Sequence, residues 1–329
     1  MKVLVVGATG AIGTRLVPML IAQGHEVVGT SRAPEKAARL RAVGAEPLAL
    51  DLLDEAAVRR AVGAASPAVI VHEATALPGL SDNLRRPDED FAATNRLRTE
   101  GTDNLLAAAR EAGVRRVIAQ SFAGWPHARV GGPVKAEDDP LDPNPPKHAR
   151  RAHAAIRHLE EAVTGADGVE GLALRYGGFY GPGTSLAPDG VHADAVRRGR
   201  FPIVGSGAGV WSFVHVDDAA SATAAAVTRG APGVYNVVDD EPAPVAEWLP
   251  YLAELLGAKR PRHVPAWLGR LVAGEFGVVM MTDVRGASNA KAKRELGWEP
   301  RYPSWRQGFV EVLGYAAGSE RKILNPRLS

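Results

Sequence analysis

Three glycines at a regular spacing are the clearest chemical signal in the chain. Gly7, Gly10 and Gly13 stand in "VLVVGATGAIGTRL", after an apolar run and before a helix-like segment that starts near Ala11. In such a turn the glycines allow a tight bend, close approach of backbone amides to a pyrophosphate, and close packing of helix on strand. The phosphate then lies at the positive end of the helix. A purely structural turn is the alternative. The loop residues assigned to this dinucleotide site are Gly7, Thr9, Gly10, Ala11, Ile12 and Gly13.

The residues after the second apolar run bear on which nucleotide this site prefers. An acidic residue there would bind the 2′-hydroxyl of the adenosine ribose. The chain instead has Ser31 and Arg32 in "GTSRAPEK", with no carboxylate before Glu35. A hydroxyl and a guanidinium suit a 2′-phosphate, so the sequence predicts NADP, with NAD as the alternative. The other interpretation of Arg32 is a solvated residue at a helix start.

Asp51 follows the third apolar run, in "LALDLLD". Its carboxylate is placed either to accept a hydrogen bond from the adenine amino group or to cap the next helix, and the two roles are compatible. Leu52 is assigned to the same adenine site.

The elements that must position these residues follow from the apolar pattern. Short β-branched runs alternate with longer helix-like segments, including residues 99–112 and 149–163, which is typical of βαβ units. The pattern predicts an α/β fold with a doubly wound parallel Rossmann sheet. Strands are expected at residues 3–6, 26–30, 46–50, 68–71, 116–120 and 172–175.

The domain organisation is predicted from where this alternation ends. Residues 1–176 are expected to form an NADP-binding Rossmann domain, with later returns near residues 211–238. Residues 177–329 are expected to form mainly a smaller, discontinuous substrate-binding lobe. Proline and glycine are frequent between residues 124 and 146, which predicts a long irregular loop after the fifth strand.

Four further segments, in this order, resemble one protein family. They are "VIVHEATA", "RYGGFYGPG", "WSFVHVDDAA" and "KAKRELGWEP". The chain resembles extended or atypical short-chain dehydrogenases/reductases of the NAD-dependent epimerase/dehydratase family over nearly its whole length. The resemblance implies that Glu73, Ala74 and Thr75 line the cofactor and that Tyr180 shapes the substrate pocket.

The resemblance also implies a catalytic Ser or Thr after the fifth strand and a Tyr-x-x-x-Lys motif on the next helix. In the family the tyrosine transfers the proton, and the lysine lowers its pKa and holds the nicotinamide ribose. Ser121 matches the first element, although a serine there can also simply cap a turn. None of the six tyrosines is followed by lysine four residues later, so the motif is absent.

Other residues are therefore considered for the proton transfer. His153 and Arg157 keep the four-residue spacing, and Arg157 precedes Glu161 by four residues, where the family often carries glutamate. An imidazole can transfer protons near neutral pH, and Arg157 could hold a ribose hydroxyl. The alternative is a solvated basic helix face. Tyr176, after the sixth strand, and Tyr180 are the other candidate acids.

Composition narrows the classes of partner. The formal net charge is +2, with no local basic block, which argues against nucleic acid. No apolar run approaches the length of a membrane span and no leader is evident, so we expect no membrane and a cytoplasmic location. There is no cysteine and no histidine motif typical of metal sites, so no metal is expected. Pairing of helices 99–112 and 149–163 is expected to give a homodimer.

These observations favour an NADP(H)-dependent oxidoreductase that reduces a small carbonyl-type substrate with an atypical proton donor. Three alternatives stay open: a nucleotide-sugar epimerase or dehydratase, a non-redox isomerase or cyclase, and a non-catalytic NADP-binding sensor. The aromatic residues expected around the substrate are Phe122, Trp125, Phe179, Tyr180 and Trp211.

Overall fold

A parallel sheet organises the described part of the chain, which is residues 1–31, 33–77 and 85–314 of a computed structural model. Its strands and the short strands outside it are β1 (Lys2–Val6), β2 (Glu26–Thr30), β3 (Glu46–Leu48), β4 (Val69–His72), β5 (Arg116–Phe122), β6 (Val134–Lys135), β7 (Glu170–Tyr176), β8 (Gly178–Tyr180), β9 (Ile203–Val204), β10 (Val210–Trp211), β11 (Phe213–His215), β12 (Gly233–Val237), β13 (Ala243–Pro244), β14 (His263–Val264) and β15 (Gly286–Ala287). The seven-stranded sheet has the order β12-β7-β5-β4-β1-β2-β3, and all of its pairs are parallel. The strand order reverses at β1 and β4, which is where such sheets bind dinucleotides.

The helices lie on both faces of this sheet and in a second lobe. They are α1 (Gly13–Ala22), α2 (Pro34–Ala42), α3 (Glu55–Ala65), α4 (Pro87–Asp90), α5 (Ala92–Arg96), α6 (Thr102–Glu111), α7 (Arg150–Thr164), α8 (Val191–Arg197), α9 (Val216–Ala226), α10 (Val245–Leu255), α11 (Ala266–Thr282), α12 (Ala290–Leu296) and α13 (Trp305–Leu313). A π-helical turn, Leu97–Gly101, joins α5 to α6. None of the helices in the described part is long and apolar enough to cross a bilayer.

Alternate residues of the strands build the two cores that flank the sheet. Val3 and Val5 of β1 face one core with α1 and α9, whereas Leu4 and Val6 face the other with α3, α6 and α7. Strands buried on both faces explain the continuous apolar runs of the sequence. The doubly wound parallel fold that the sequence predicted is confirmed.

A third core lies in the smaller lobe. It is formed by widely spaced residues between Tyr180 and Leu313, including Trp248 and Trp305. The chain also returns to the sheet where the sequence did not predict it, because Ala292, Leu296 and Trp298 belong to the core under α1 and α9. The predicted division at residue 176 stays a prediction.

The predicted strands agree with the observed ones to within a few residues, and the predicted helix 149–163 corresponds to α7. The loop at residues 124–146 is irregular apart from β6. It is held by a β-bridge between His127 and Leu141 and by an ion pair of Arg129 with Asp142 at 2.9 Å. The loop therefore has a defined shape over the end of β5.

Candidate active site

The glycine loop between β1 and α1 has the shape that a pyrophosphate requires. Gly7 has φ +88°, and a Cβ there would lie 2.7 Å from the carbonyl carbon of Glu73. A Cβ on Gly13 would lie 2.4 Å from the Gly7 carbonyl oxygen, so both positions need glycine. At Gly10 a Cβ would meet only that oxygen, at 3.3 Å, which leaves the outer side of the loop open. The loop thus fits a phosphate group bound by its backbone.

The other residues assigned to the loop contribute in different ways. Thr9 and Ala11 are partly exposed, so their side chains and amides border the open side. Ile12 is buried in the core, and only its backbone is available to a ligand. No side chain caps the start of α1, and the Thr14 amide already donates to the Gly10 carbonyl. Among the described residues the amides of Ile12 and Gly13 have no acceptor, so these two are left for a ligand.

On the β2 side, side chains fix the backbone of the predicted adenosine site. The Gly7 amide donates to Thr30 Oγ1 at 3.1 Å, which ties the glycine loop to the end of β2. The Ser31 hydroxyl bonds the backbone of Ala33. Arg32 lies outside the described residues, so its predicted contact with a 2′-phosphate stays a prediction.

Asp51 is exposed three residues after β3, and its Oδ1 accepts from the Leu53 amide at 3.1 Å. The expectation that Asp51 caps the next helix is wrong, because Asp54 caps α3 by accepting from the Ala57 amide at 2.9 Å. Leu52 is buried and its carbonyl accepts from Asn104. The predicted adenine contact of Asp51 remains compatible with its exposed position.

Ser121 lies in β5, one residue before its end, in a buried charged network. Its hydroxyl donates to Glu160 Oε1 at 2.6 Å, and Arg175 donates to both oxygens of Glu160 at 2.8 and 2.7 Å. Arg175 Nη1 also contacts His127 Nε2 at 3.1 Å. Burial, followed by the Arg175 charge, lowers the pKa of His127 to about 4, so this ring is neutral and accepts. The Ser121 proton is therefore already bonded to a carboxylate.

This network fixes which face of α7 meets the sheet. Glu160 is buried, and Ile156 and Ala152 precede it at four-residue intervals on the same buried face. Glu161 is exposed. The sequence comparison matched Glu161 to the family's glutamate, but Glu160 is the buried glutamate, one residue earlier. On the buried face the positions four and eight residues before the glutamate are therefore Ile156 and Ala152.

His153 and Arg157 each follow a residue of that face by one position, so both lie beside it, in line with Glu161. Arg157 is exposed and borders a surface depression with Leu141, Pro143 and Glu161. The His153 ring is buried, donates from Nε2 to the Pro126 carbonyl at 3.0 Å, and packs edge-on against Trp125. Burial lowers the pKa of His153, so the ring is neutral and its N–H anchors the loop at residues 124–146. This geometry does not favour an acid role for His153.

Tyr176, the last residue of β7, is fully buried. Its hydroxyl donates to Glu73 Oε1 at 2.8 Å and lies 2.6 Å from Thr223 Oγ1. Burial raises the pKa of Glu73 to about 8 and the pKa of Tyr176 well above its ordinary value. Tyr176 is therefore a weak acid. Glu73 reaches the cofactor loop through its backbone, which packs on Gly7, while Ala74 and Thr75 beyond it are partly exposed.

The five predicted aromatic residues do not share one place in the structure. Trp125, with Phe122 and Trp211 at its edge, belongs to an apolar cluster that also contains Ala152 and Ile156. This cluster extends to Phe276 of α11, whose ring lies edge-on to Trp125 with centroids 5.3 Å apart.

Tyr180 and Phe179 lie elsewhere. The Tyr180 ring packs in the core of the second lobe between His215 and Phe309, and its hydroxyl has no hydrogen-bond partner among the described residues. Burial raises the pKa of Tyr180, so it is a weak acid, and its predicted place in the substrate pocket stays a prediction. Phe179 lies against the Tyr176 ring, 5.5 Å between centroids.

Three polar residues near this cluster were missed by the sequence interpretation. Glu160 is described above; Asn95 lies in α5, and Arg98 lies in the π-helical turn that follows it directly. For Glu160 the sequence offered one signal, a charge that follows Ala152 and Ile156 at four-residue spacing. Asn95 and Arg98 offered no such signal, and it is the structure that shows Arg98 to be only 7% exposed. Neither lies within a motif.

The fold and the glycine loop define an NAD(P)-binding protein of the Rossmann type. The chain belongs to the NAD-dependent epimerase/dehydratase family, whose model matches residues 3–237. It is 48% identical over 310 residues to a 3-diazoavenalumate denitrifying reductase of a Streptomyces species, covering 94% of this chain and 99% of the relative.

Two further similarities are more distant. The chain is 31% identical to a 2-alkyl-3-oxoalkanoate reductase of Stenotrophomonas maltophilia, over 79% of this chain and 77% of the relative. It superposes on a Thermus thermophilus UDP-glucose 4-epimerase complex with NAD at a TM-score of 0.71 and 26% identity, covering 97% and 100% of the two chains. The family predicted from the sequence is confirmed, and the chain is an oxidoreductase that uses a nicotinamide cofactor.

Proposed function

We propose that this chain is an NADP(H)-dependent reductase that transfers hydride to a diazo-bearing substrate and needs no proton from the protein. The proposal is supported by one observation above all: the Ser121 and Tyr176 hydroxyls and the His153 ring already donate hydrogen bonds within the protein. It replaces the carbonyl substrate expected from the sequence, while the nicotinamide-dependent reduction is kept.

Carbonyl reduction needs both a hydride for carbon and a proton for oxygen, so it needs a positioned acid. Ser121 donates to Glu160, and Tyr176 donates to Glu73. His153 is a neutral ring bonded to Pro126. The face of α7 that meets Ser121 carries Ala152 and Ile156, which have no proton to give. These contacts support a reaction in which the substrate leaves as a neutral product after hydride addition alone.

A diazonium group provides such a reaction. Bound NADPH supplies a hydride. The carbon that bears the nitrogen gains the C–H bond, the C–N bond breaks, and its electron pair leaves with dinitrogen. Charge balances without a proton, because a cationic diazonium and a hydride give a neutral C–H product and neutral N₂. The name of the 48% identical relative describes a reductive denitrification of a diazo compound, which supports this substrate class.

The protein side of the site suits such a substrate. Phe122 and Trp211, at the edge of the cluster around Trp125, are partly exposed and would contact a flat organic molecule. Such an apolar surface would also exclude water, which otherwise competes for a reactive cation. The glycine loop would hold the pyrophosphate, and Arg32 with Ser31 would select the 2′-phosphate of NADP. We also propose that Asp51, Leu52, Ala74 and Thr75 border the bound nucleotide.

Isotope tracing tests the proposal. The purified protein is given an arenediazonium carboxylate and NADPH that carries two deuterium atoms on C4 of its nicotinamide. We expect one N₂ and one arene C–D bond for each NADPH oxidised, and, with unlabelled NADPH, no label from deuterated water.

The control must separate enzymatic reduction from direct reaction of NADPH with the diazonium salt. Gly10→Asp serves, because the outer side of this residue is open while a carboxylate there repels a pyrophosphate. Its rate should equal the rate without protein. NADPH oxidation by the wild-type chain with simple ketones, but not with the diazonium, would refute the proposal in favour of a carbonyl reductase.

A further inference from the structure

Arg98 is a buried cation for which the described residues provide no partner. It is 7% exposed, and its Nε is shielded from solvent and donates no hydrogen bond. No ion pair or hydrogen bond of its guanidinium is found within residues 1–31, 33–77 and 85–314. Glu160 attracts it electrostatically, but the Glu160 oxygens already accept from Ser121 and Arg175. Burial lowers the pKa of Arg98 to about 10, so it stays charged at neutral pH, at a cost in stability.

An unsatisfied acceptor lies three residues away. Asn95 Oδ1 is shielded from solvent and accepts no hydrogen bond in the described structure. Residues three apart are neighbours on a helix, so a donor and an acceptor without partners share one face. Arg98 lies in the π-helical turn Leu97–Gly101, and π turns occur frequently at functional sites.

This segment is fixed beside the end of β4. Thr94 Oγ1 accepts from the Ala76 amide at 3.0 Å, and the Leu97 carbonyl lies 3.3 Å from His72 Nε2. The Arg98 charge also contributes to lowering the pKa of His72, after burial. Through Glu160 the same guanidinium is close to the end of β5, where Ser121 lies.

The sheet order identifies what would pass over this place. The phosphate loop follows β1, and the adenosine side is expected over β2 and β3, where Ser31 and Asp51 lie. A dinucleotide bound across the carboxyl ends of the strands must place its other half on the opposite side of β1, which is over β4 and β5. Asn95 and Arg98 therefore lie on the nicotinamide side.

We propose that Asn95 and Arg98 together bind the hydroxyls of the nicotinamide ribose. A hydroxyl both donates and accepts, so the pair would satisfy Asn95 Oδ1 and the Arg98 guanidinium at once. An anionic substrate group would satisfy the arginine but has no proton to donate to Asn95 Oδ1. This inference rests on the proposed use of NADP(H), but it does not depend on the proposed substrate.

Calorimetry with two ligands tests the contact. NADPH contains the nicotinamide ribose, whereas adenosine 2′,5′-bisphosphate lacks it and keeps the adenosine half; NADH and ADP form a second pair. Arg98→Met should weaken NADPH binding about 10- to 100-fold, as expected for lost hydrogen bonds to a charged group. Its affinity for the bisphosphate should stay within about twofold of wild type. Arg98→Lys should recover part of the NADPH affinity.

Arg96→Met is the matched control, because Arg96 lies two residues away, is exposed, and pairs with Glu100 at 2.7 Å. It should bind both ligands as the wild type does. A structural role is separated by thermal unfolding of the protein without ligand. Removal of an unpaired buried charge should leave the Tm of Arg98→Met unchanged or higher.

Three results for Arg98→Met would overturn the inference. The first is an unchanged affinity for NADPH, and the second is an equal loss of affinity for NADPH and for the bisphosphate. The third is a lowered Tm together with weaker binding of both ligands. A wild-type chain that binds neither NADPH nor NADH would refute the proposed function itself.

Discussion

Replacing Glu160 by glutamine should destabilise the protein strongly, because it removes the one carboxylate of the buried network. Arg175 donates two hydrogen bonds to Glu160, at 2.8 and 2.7 Å, and is only 4% exposed, while Ser121 donates a third at 2.6 Å. Glu160→Gln leaves the Arg175 guanidinium and the Arg98 guanidinium buried without a negative charge. Breaking one partner of a buried ion pair costs about 3–5 kcal/mol, a large part of the stability of a domain.

Urea unfolding followed by circular dichroism measures this loss. Glu161→Gln is the control, because Glu161 is the next residue on α7 and is exposed; a surface substitution of this kind changes the free energy of unfolding by at most about 0.5 kcal/mol. The comparison also decides which glutamate of "HLEEAV" faces the sheet. A Glu160→Gln variant within about 1 kcal/mol of wild type, or a larger loss in Glu161→Gln, would refute the assigned helix face.

Three further predictions concern the cofactor, pH and assembly. Arg32→Ala should remove most of the preference for NADPH over NADH in calorimetry, a loss of about 1.5–3 kcal/mol, and equal affinities in the wild type would contradict this. Burial raises the pKa of Glu73 to about 8, so between its unfolded pKa of about 4.3 and 8 only the folded state holds the proton. Stability should therefore fall as pH rises through this window, by at most about 1.4 kcal/mol per unit, and urea unfolding of Glu73→Gln should show a flatter profile. Light scattering at micromolar concentration should show a homodimer; a monomer would end that prediction.

The sequence predicted the fold well because its signals are local. Apolar β-branched runs predict buried parallel strands, and the close packing of Gly7 and Gly13 against backbone atoms explains their spacing. The dimer argument was weaker, since Leu105, Leu106, Ala108 and Ala109 of the Ala-rich helix are buried within the chain itself.

The catalytic residues were harder to predict, because tertiary contacts decide their roles. The sequence comparison used Glu161 as its reference and so placed His153 and Arg157 at the catalytic positions of the helix. The structure shows that Glu160 faces the sheet instead, because it pairs with Arg175 of β7, which is distant from the helix motif in sequence. Local sequence also did not separate Asp51 from Asp54 as the helix cap. The isolated Arg98 matches no motif, and only its burial without a partner makes it notable.

The most direct test of the central claim is the single-turnover rate of hydride transfer from NADPH to a diazonium substrate. We would measure it for the wild type and for Ser121→Ala, His153→Phe and Tyr176→Phe, under conditions in which each variant is folded. If no side chain supplies a proton, each variant should react within a few-fold of the wild-type rate. A fall of about 10²- to 10⁴-fold in any one of them, the usual loss on removing a general acid, would contradict hydride transfer without an acid and identify that residue as the donor.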